Sequence, residues 1–256
     1  FNREKFEFVA SHKFNLGAGE DSLIQTMLTE EEKDAISTQF GPNFFGPVLK
    51  GIHTICGIVQ VKIKRSGKHV LIGNTHLFFH PFGGHIRTLQ ALCFMRKLHA
   101  MRPAGAGLIV CGDFNSRPNS GSFQVMHTGR IEADNLDWQY GKSFRAERSD
   151  DALDADEAAL YTTEAPVGPA TEGISISHDL AIDHIPSVIP ELTHATAAFR
   201  STLDYIFYTK DVFAPVEGPG TGSSIPSLTN AEIDQLGGLP AGKYGSDHVL
   251  VCGDLE

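Results

Sequence analysis

The chain has 256 residues, a formal net charge of −10, 41% hydrophobic and 20% charged residues. That length and apolar content suit one large α/β or sandwich-type domain, and no run approaches the ~18 apolar residues of a membrane span. The acidic balance argues against a broad basic groove for duplex nucleic acid, whose affinity comes from Lys and Arg neutralising phosphates; a small phosphate ester stays open.

The first residues, Phe1-Asn2-Arg3-Glu4-Lys5-Phe6, lack an initiator Met and the charged-then-apolar pattern of a secretory signal, so the chain reads as cut from a longer protein. Phe6–Ala10 alternates weakly, as a strand does. Asp21–Gln39 is helical, with Leu23, Ile24, Met27, Leu28 and Ile36 on one stripe. Thr29 followed by Glu30, Glu31 and Glu32 reads as a cap with acids in the first turn, which starts a new helix there. Gly41-Pro42-Asn43 breaks it. Ile52–Lys64 and His69–Phe79 are strands joined by a hairpin connection at Arg65-Ser66-Gly67-Lys68. Ile86–Met101 has a 3.6-residue apolar period through Ile86, Leu89, Cys93, Leu92, Met95 and Leu98, and Leu108–Cys111 is the next strand. Strand, helix, strand favours an α/β fold.

Pro118–Gly121 is a turn and Ser122–His127 a short helix. From Glu132 to Pro190 the chain is acidic, Ala-rich and dotted with Pro and Gly, and is expected to be a long, partly flexible surface insertion, most distinctly over 140–190. Its run from Glu147 to Glu157 carries Glu147, Asp150, Asp151, Asp154, Asp156 and Glu157 against Arg148 alone, a solvated face or a docking surface for a protein partner. Leu203–Tyr208 is a strand, Pro215–Gly242 mostly loop, and Asp247–Leu255 a last strand. Cys56, Cys93, Cys111 and Cys252 form no C-x-x-C pair and read as reduced thiols, so a zinc site is not expected.

Three strand ends carry polar groups: Gly73-Asn74-Thr75-His76-Leu77, Gly112-Asp113-Phe114-Asn115, and Ser246-Asp247-His248 before Val249-Leu250-Val251. Alternation puts Asp113 and Asn115 on one side, at the carboxyl edge where open α/β sheets place ligands. Gly-Asp and Asn also form ordinary turns, and His76 and His248 have a structural alternative as hydrogen-bonded core histidines. Asp204, an acid between Leu203 and Tyr205 in an apolar strand, needs a partner. Carboxylates, carboxamides and imidazoles without thiolates suit a hard divalent cation and phosphodiester hydrolysis. The remaining histidines, His12, His53, His69, His85, His99, His127, His178, His184 and His194, read as surface or structural. His178-Asp179 and Asp183-His184 imitate the Asp-His pair but fall in the expected insertion. Phe78, Phe79 and Phe82 either stack on bases or pack in the core.

Asn74-Thr75-His76-Leu77, Gly112 to Pro118, Leu203-Asp204-Tyr205-Ile206-Phe207 and Ser246-Asp247-His248 together resemble the endonuclease/exonuclease/phosphatase superfamily. Within it the chain is most similar to the CCR4/nocturnin group of RNA nucleases, on its 2′,5′-phosphodiesterase side. His80-Pro81, Gly83-Gly84, Ile86-Arg87 through Gln90, Phe1–Phe8, Asp137-Trp138 and Val251–Leu255 add to the likeness, which covers all but the 140–190 insertion.

The resemblance implies an α/β, DNase I-like β-sandwich flanked by helices, with residues 1–256 as the C-terminal part of one domain truncated at its N-terminus. It implies that Asp113 positions or deprotonates the attacking water and Asn115 orients the phosphate or that water. His248 contacts the scissile phosphate, with its ring fixed by Asp204, and His76 touches the phosphate or protonates the leaving oxygen. Asn74 and Arg87 support substrate binding, and Asp247 and Asp113 bind Mg²⁺, or Mn²⁺ in its place. The implied activity is 3′→5′ exonucleolytic hydrolysis of RNA poly(A) or 2′,5′-oligoadenylate, in the mitochondrion or cytoplasm and off the membrane. A small-molecule phosphatase of the same fold and a catalytically dead ribonucleoprotein subunit are the alternatives. One departure matters. The family's early Asn and its metal-binding Gln-Glu are absent from this sequence, so it reads either as a fragment that lacks them or as a degenerate member, and this chain alone is expected to hold Mg²⁺ weakly and to be inactive.

Overall fold

The computed structural model describes residues 2–139, 173–185, 192–216 and 228–256. β1 (Phe6–Asn15), β2 (Ile55–Ile63), β3 (His69–His76) and β4 (Gly107–Asp113) open one mixed sheet. β5 (Arg130–Ile131) and β6 (Ile176–Ser177) form a small ribbon, and β7 (Ile182–His184) returns to the main sheet. A second ribbon joins β8 (His194–Ala195) to β9 (Arg200–Ser201). β10 (Asp204–Thr209) lies inside the main sheet, and β11 (Pro215–Val216) pairs with β12 (Asp254–Leu255). The six-stranded order is β1-β2-β3-β4-β10-β7, with β3 and β4 parallel and every other pair antiparallel. The hairpin at Arg65–Lys68 closes on Ile63, whose N–H donates to the Lys68 carbonyl at 2.8 Å.

α1 (Leu23–Met27) and α2 (Glu30–Phe40) split at Thr29, as the acids after it imply. The Thr29 hydroxyl accepts the Glu32 N–H at 3.2 Å, and the Glu32 carboxylate accepts the Thr29 N–H at 2.9 Å. α3 (Gly84–Met101) connects β3 to β4 and is buried over most of its length. Gly73 lets it lie close to the sheet: a Cβ there would sit 2.9 Å from the Phe94 ring and 3.2 Å from Leu98. Ile58, Leu71, Leu108, Val110 and Phe207 of the sheet share one core with Ile86, Leu89, Phe94 and Leu98 of α3. Each such side chain contributes about 1.5–3 kcal/mol on burial. Arg96 of α3 clamps Glu32 of α2 through two bonds of 2.7 Å and donates to the Met27 and Ser177 carbonyls. α4 (Gly121–Thr128) begins at a Ser120 cap and ends at Gly129.

Two expectations are corrected. Residues 173–185, assigned to the flexible insertion, supply β6 and β7 and bury Ile176, His178, Leu180, Ile182 and Ile185. Their short apolar alternation was outweighed by the acidic composition around them. The acidic run Glu147–Glu157 and any partner it docks lie outside the described residues. Asp247–Leu255 is not one strand: the main-sheet position beside β10 is taken by β7, and His248 makes a single bridge to His194. Within 215–242, Asn230–Leu236 is a helix with its own Thr229/Glu232 capping box. Among the described residues no helix is long and apolar enough to cross a membrane, and all four cysteines are free.

Burial pushes the His178 imidazole down to about 4. Its Nδ1 accepts the Leu180 N–H at 3.2 Å, so Nε2 carries the proton donated to the Val125 carbonyl at 2.9 Å. The native ring stays neutral where the unfolded one, near pH ~6.5, takes a proton. This stability is complete above about pH 6.5 and is lost as the pH falls toward 4. A His178→Gln variant is expected to show a shallower fall in Tm across that window by circular dichroism; an unchanged slope contradicts the assignment.

Candidate active site

Because β3 and β4 run parallel, both finish at the same sheet edge, and His76 is the register partner of Asp113. β10 runs the opposite way and starts at that edge, with Asp204 opposite Asp113. Three side chains from distant parts of the sequence therefore form one row. Gly112 permits it: at φ +145° its missing Cβ would lie 1.9 Å from the Thr75 carbonyl oxygen.

Beyond Asp113 the chain turns sharply. Asn115 sits at φ +46° with its N–H on Asp113 Oδ1 at 2.7 Å, a local bond that helps Asn hold the left-handed region. Its Nδ2 donates to the Leu77 carbonyl at 2.9 Å, tying the ends of β3 and β4 together. Phe114 points the other way, buried against Tyr205 and Phe207. The Tyr205 hydroxyl donates to the Ser116 and Thr202 carbonyls at 2.7 and 2.9 Å and locks this turn to the start of β10.

The Ser246-Asp247-His248 segment docks on β8. Ala195 N–H donates to the Asp247 carbonyl at 3.0 Å, and Val249 N–H to the Thr193 carbonyl at 2.8 Å. The His248 ring then lies between two carboxylates. Nδ1 is 2.8 Å from Asp204 Oδ2, and Nε2 is 3.7 Å from Asp113 Oδ2, which is also 3.3 Å from His76 Nε2. The Asp204 hydrogen bond holds the His248 imidazolium above its ordinary range, against the opposing effect of burial. Burial, and then the facing Asp204 charge, push the Asp113 carboxyl up. Asp113 thus shifts toward neutrality beside a histidine that favours its charged form.

Asn74 lies two residues before His76 on the same face and donates to the Cys111 carbonyl at 3.0 Å. Asp247 turns its carboxylate to His194 Nε2 at 3.2 Å. Arg87 is 8% exposed and donates to the Phe78, His80 and Pro81 carbonyls at 3.1, 2.5 and 3.4 Å, which holds the loop after β3. Its period placed it on α3, but the loop folding over that helix was not legible. The sequence reading missed His194, whose ring meets His248 edge-on at 4.7 Å and 78°. It also missed Thr193, whose hydroxyl accepts the Leu203 and Asp204 N–H groups at 2.7 and 3.0 Å. Their segment is short and carries no periodicity. A groove of about 710 Å³ opens beside His76, lined by Lys13, His53, Ile55, Asn74, Phe78 and the 60% exposed Phe79.

Two clusters here could hold a cation: Asp113, Asp204 and His248, and His194, Asp247 and His248. The crowding of Asp113 against Asp204 is the kind a divalent ion relieves, and carboxylate oxygens are the right donors in kind. They are few in number for a six-oxygen Mg²⁺ shell, whose other positions would fall to water and substrate.

The mixed sheet with helices against it is the DNase I-like arrangement, and comparison with known proteins agrees. The model of the Endonuclease/Exonuclease/phosphatase family matches residues 38–248. 2′,5′-Phosphodiesterase 12 of Bos taurus is 30% identical across 100% of this chain and 36% of its own length; that of Rattus norvegicus is 27% identical over the same shares. The probable CCR4-Not complex 3′-5′-exoribonuclease subunit Ccr4 of Enterocytozoon bieneusi (strain H348) is 24% identical over 71% of this chain and 31% of its own. The chain thus spans about a third of the length of these curated relatives. Among solved structures, ANGEL2, a 2′,3′-cyclic phosphatase, in complex with adenosine-2′,3′-vanadate, has a TM-score of 0.65 at 19% identity, over 100% of this chain and 68% of that one. With the family match running from α2 to His248, through every strand end that meets in the Asp113 row, this chain belongs to the endonuclease/exonuclease/phosphatase family.

Proposed function

We propose that this chain carries the catalytic residues of a divalent-metal-dependent phosphodiester hydrolase that degrades RNA or an oligoadenylate from its 3′ end. The observation that carries the reading is the line Asp204–His248–Asp113, with distances of 2.8 and 3.7 Å on the two sides of one imidazole. Asp204 holds Nδ1–H and fixes the ring, which leaves Nε2 to face a phosphoryl oxygen. Asp113, 3.7 Å from His248 Nε2 and 3.3 Å from His76 Nε2, is the proposed general base: it takes a proton from water as the water oxygen attacks phosphorus. His76, 69% exposed at the rim, is placed to give a proton to the leaving oxygen as the phosphorus–oxygen bond breaks. Asn115 and Asn74 orient the phosphate. Mg²⁺, with Mn²⁺ as substitute, is the cation proposed beside Asp113 and Asp247, which fall in two neighbouring clusters that share His248; bound, it would offset charge on the phosphoryl oxygens.

The groove beside His76 gives the substrate a second anchor, with Phe79 as an exposed face for a base. That favours an oligonucleotide over a small phosphate monoester. The names of the relatives support the same class: a 2′,5′-phosphodiesterase in cattle and a 3′-5′-exoribonuclease subunit in Enterocytozoon bieneusi.

The test is hydrolysis of 2′,5′- and 3′,5′-linked oligoadenylates by the full-length protein, with and without Mg²⁺. Asp113→Asn is expected to lower kcat by on the order of 10²–10⁴ with its circular dichroism unchanged. Undiminished turnover in that variant would remove the proposed base. Phe79→Ala is expected to raise KM roughly tenfold at constant kcat, from the ~1–3 kcal/mol of a base–aromatic stack. Full activity on a small phosphate monoester, with none on oligonucleotides, would favour the phosphatase alternative instead.

A further inference from the structure

A third cluster of metal-ligating side chains lies at the β7 edge of the sheet. Asp183 and His184 close β7, the edge strand, and His127 stands in the last turn of α4. His184 Nδ1 is 3.3 Å from His127 Nδ1 and 3.5 Å from Asp183 Oδ1, and His127 Nδ1 is 3.7 Å from the same oxygen. We propose that His127, Asp183 and His184 form a binding site for a divalent transition-metal ion of the Zn²⁺ class, separate from the Asp113 row.

The geometry carries this. The nearest point equidistant from three atoms so spaced lies in their plane about 2.0 Å from each, and an ion displaced from that plane to about 2.1–2.2 Å keeps the Zn²⁺ bond lengths to imidazole nitrogen and carboxylate oxygen (~2.0–2.2 Å) with a fourth position free. Edges of this length are also those of a tetrahedral centre. Two imidazoles and one carboxylate suit Zn²⁺, Co²⁺ or Ni²⁺ and fit poorly with the all-oxygen shells of Mg²⁺ or Ca²⁺. The side chains of His127 and Asp183 are each 37% exposed, so a fourth position opens to water.

The ligands are also held in place. The His184 N–H donates to Asp183 Oδ1 at 2.8 Å and pins the carboxylate. Phe123 of α4 stacks on the His127 ring at 5.7 Å and meets the His184 ring edge-on at 5.5 Å. His184 pairs with Phe207 in the sheet, three residues along β10 from Asp204, or about 10 Å at strand rise. The site joins an edge strand to the helix packed over it, so an ion there acts as a cross-link between β7 and α4. No cysteine takes part, so the spacing of the cysteines says nothing about it.

The test is Co²⁺ and Zn²⁺ titration of the full-length protein, stripped of metal with chelator, followed by the visible d–d band of four-coordinate Co²⁺ and by calorimetric stoichiometry. His248→Gln, which removes the ligand shared by the two clusters around the Asp113 row and leaves His127, Asp183 and His184 intact, is expected to keep the band. His127→Gln and Asp183→Asn are each expected to lose it, with Zn²⁺ affinity down by roughly 100-fold or more, beyond the 10–100-fold of an outer-shell change. Two variants on different elements guard against a folding artefact, and circular dichroism in the absence of metal checks each. A band lost in His248→Gln and kept in His127→Gln overturns the site. So does the absence of tight binding in the unaltered protein, which would make the two imidazoles a plain hydrogen-bonded pair.

Discussion

Gly112 holds the end of β4 against the Thr75 carbonyl, at a distance no other residue type permits. That contact fixes how β3 and β4 finish, and the finish decides the site. With β3 and β4 parallel and β10 antiparallel, the only edge at which β3 and β4 end and β10 begins is the one carrying His76, Asp113 and Asp204. The core beneath serves the same purpose. α3 packs on Gly73 and spans the crossover, and Phe114 and Tyr205 anchor the turn that follows Asp113.

The electrostatics of the site follow from this row. Two carboxylates facing each other across adjacent strands would repel, and burial adds to the cost for Asp113. His248 offsets part of it from outside the sheet, between the two carboxylates, on a segment tied to Thr193 and Ala195 by two backbone bonds and to His194 through Asp247. Strands β4 and β10 supply the carboxylates, and the segment docked beside β8 supplies the imidazole. Beside that imidazole lie the exposed His76 and the groove lined by Phe79.

The sequence made some of this legible and hid the rest for physical reasons. Gly-Asp-x-Asn at the end of an apolar run is a local signal, because turn chemistry and strand period act over a few residues. Asp204 announced itself as an acid in an apolar strand, and its partner is indeed His248. Thr29 and Thr229 each carry a Glu three residues on, the local signature of a helix start. Arg87 shows the limit: its place on α3 was readable, but whether it faced substrate or three backbone carbonyls depended on how residues 78–82 fold back over the helix. β7 and His194 were hidden because two- and three-residue strands have no period of their own and exist only through their partners.

The most direct measurement is the pH titration of the His248 ring by NMR, in metal-free protein, with and without Asp204→Asn. His248 is expected to titrate above the ordinary histidine value of about 6.5, and to fall back toward it when the Asp204 carboxylate is removed. A His248 titration at the ordinary value, or one that Asp204→Asn leaves unmoved, would contradict the bracketed imidazole on which the site is built.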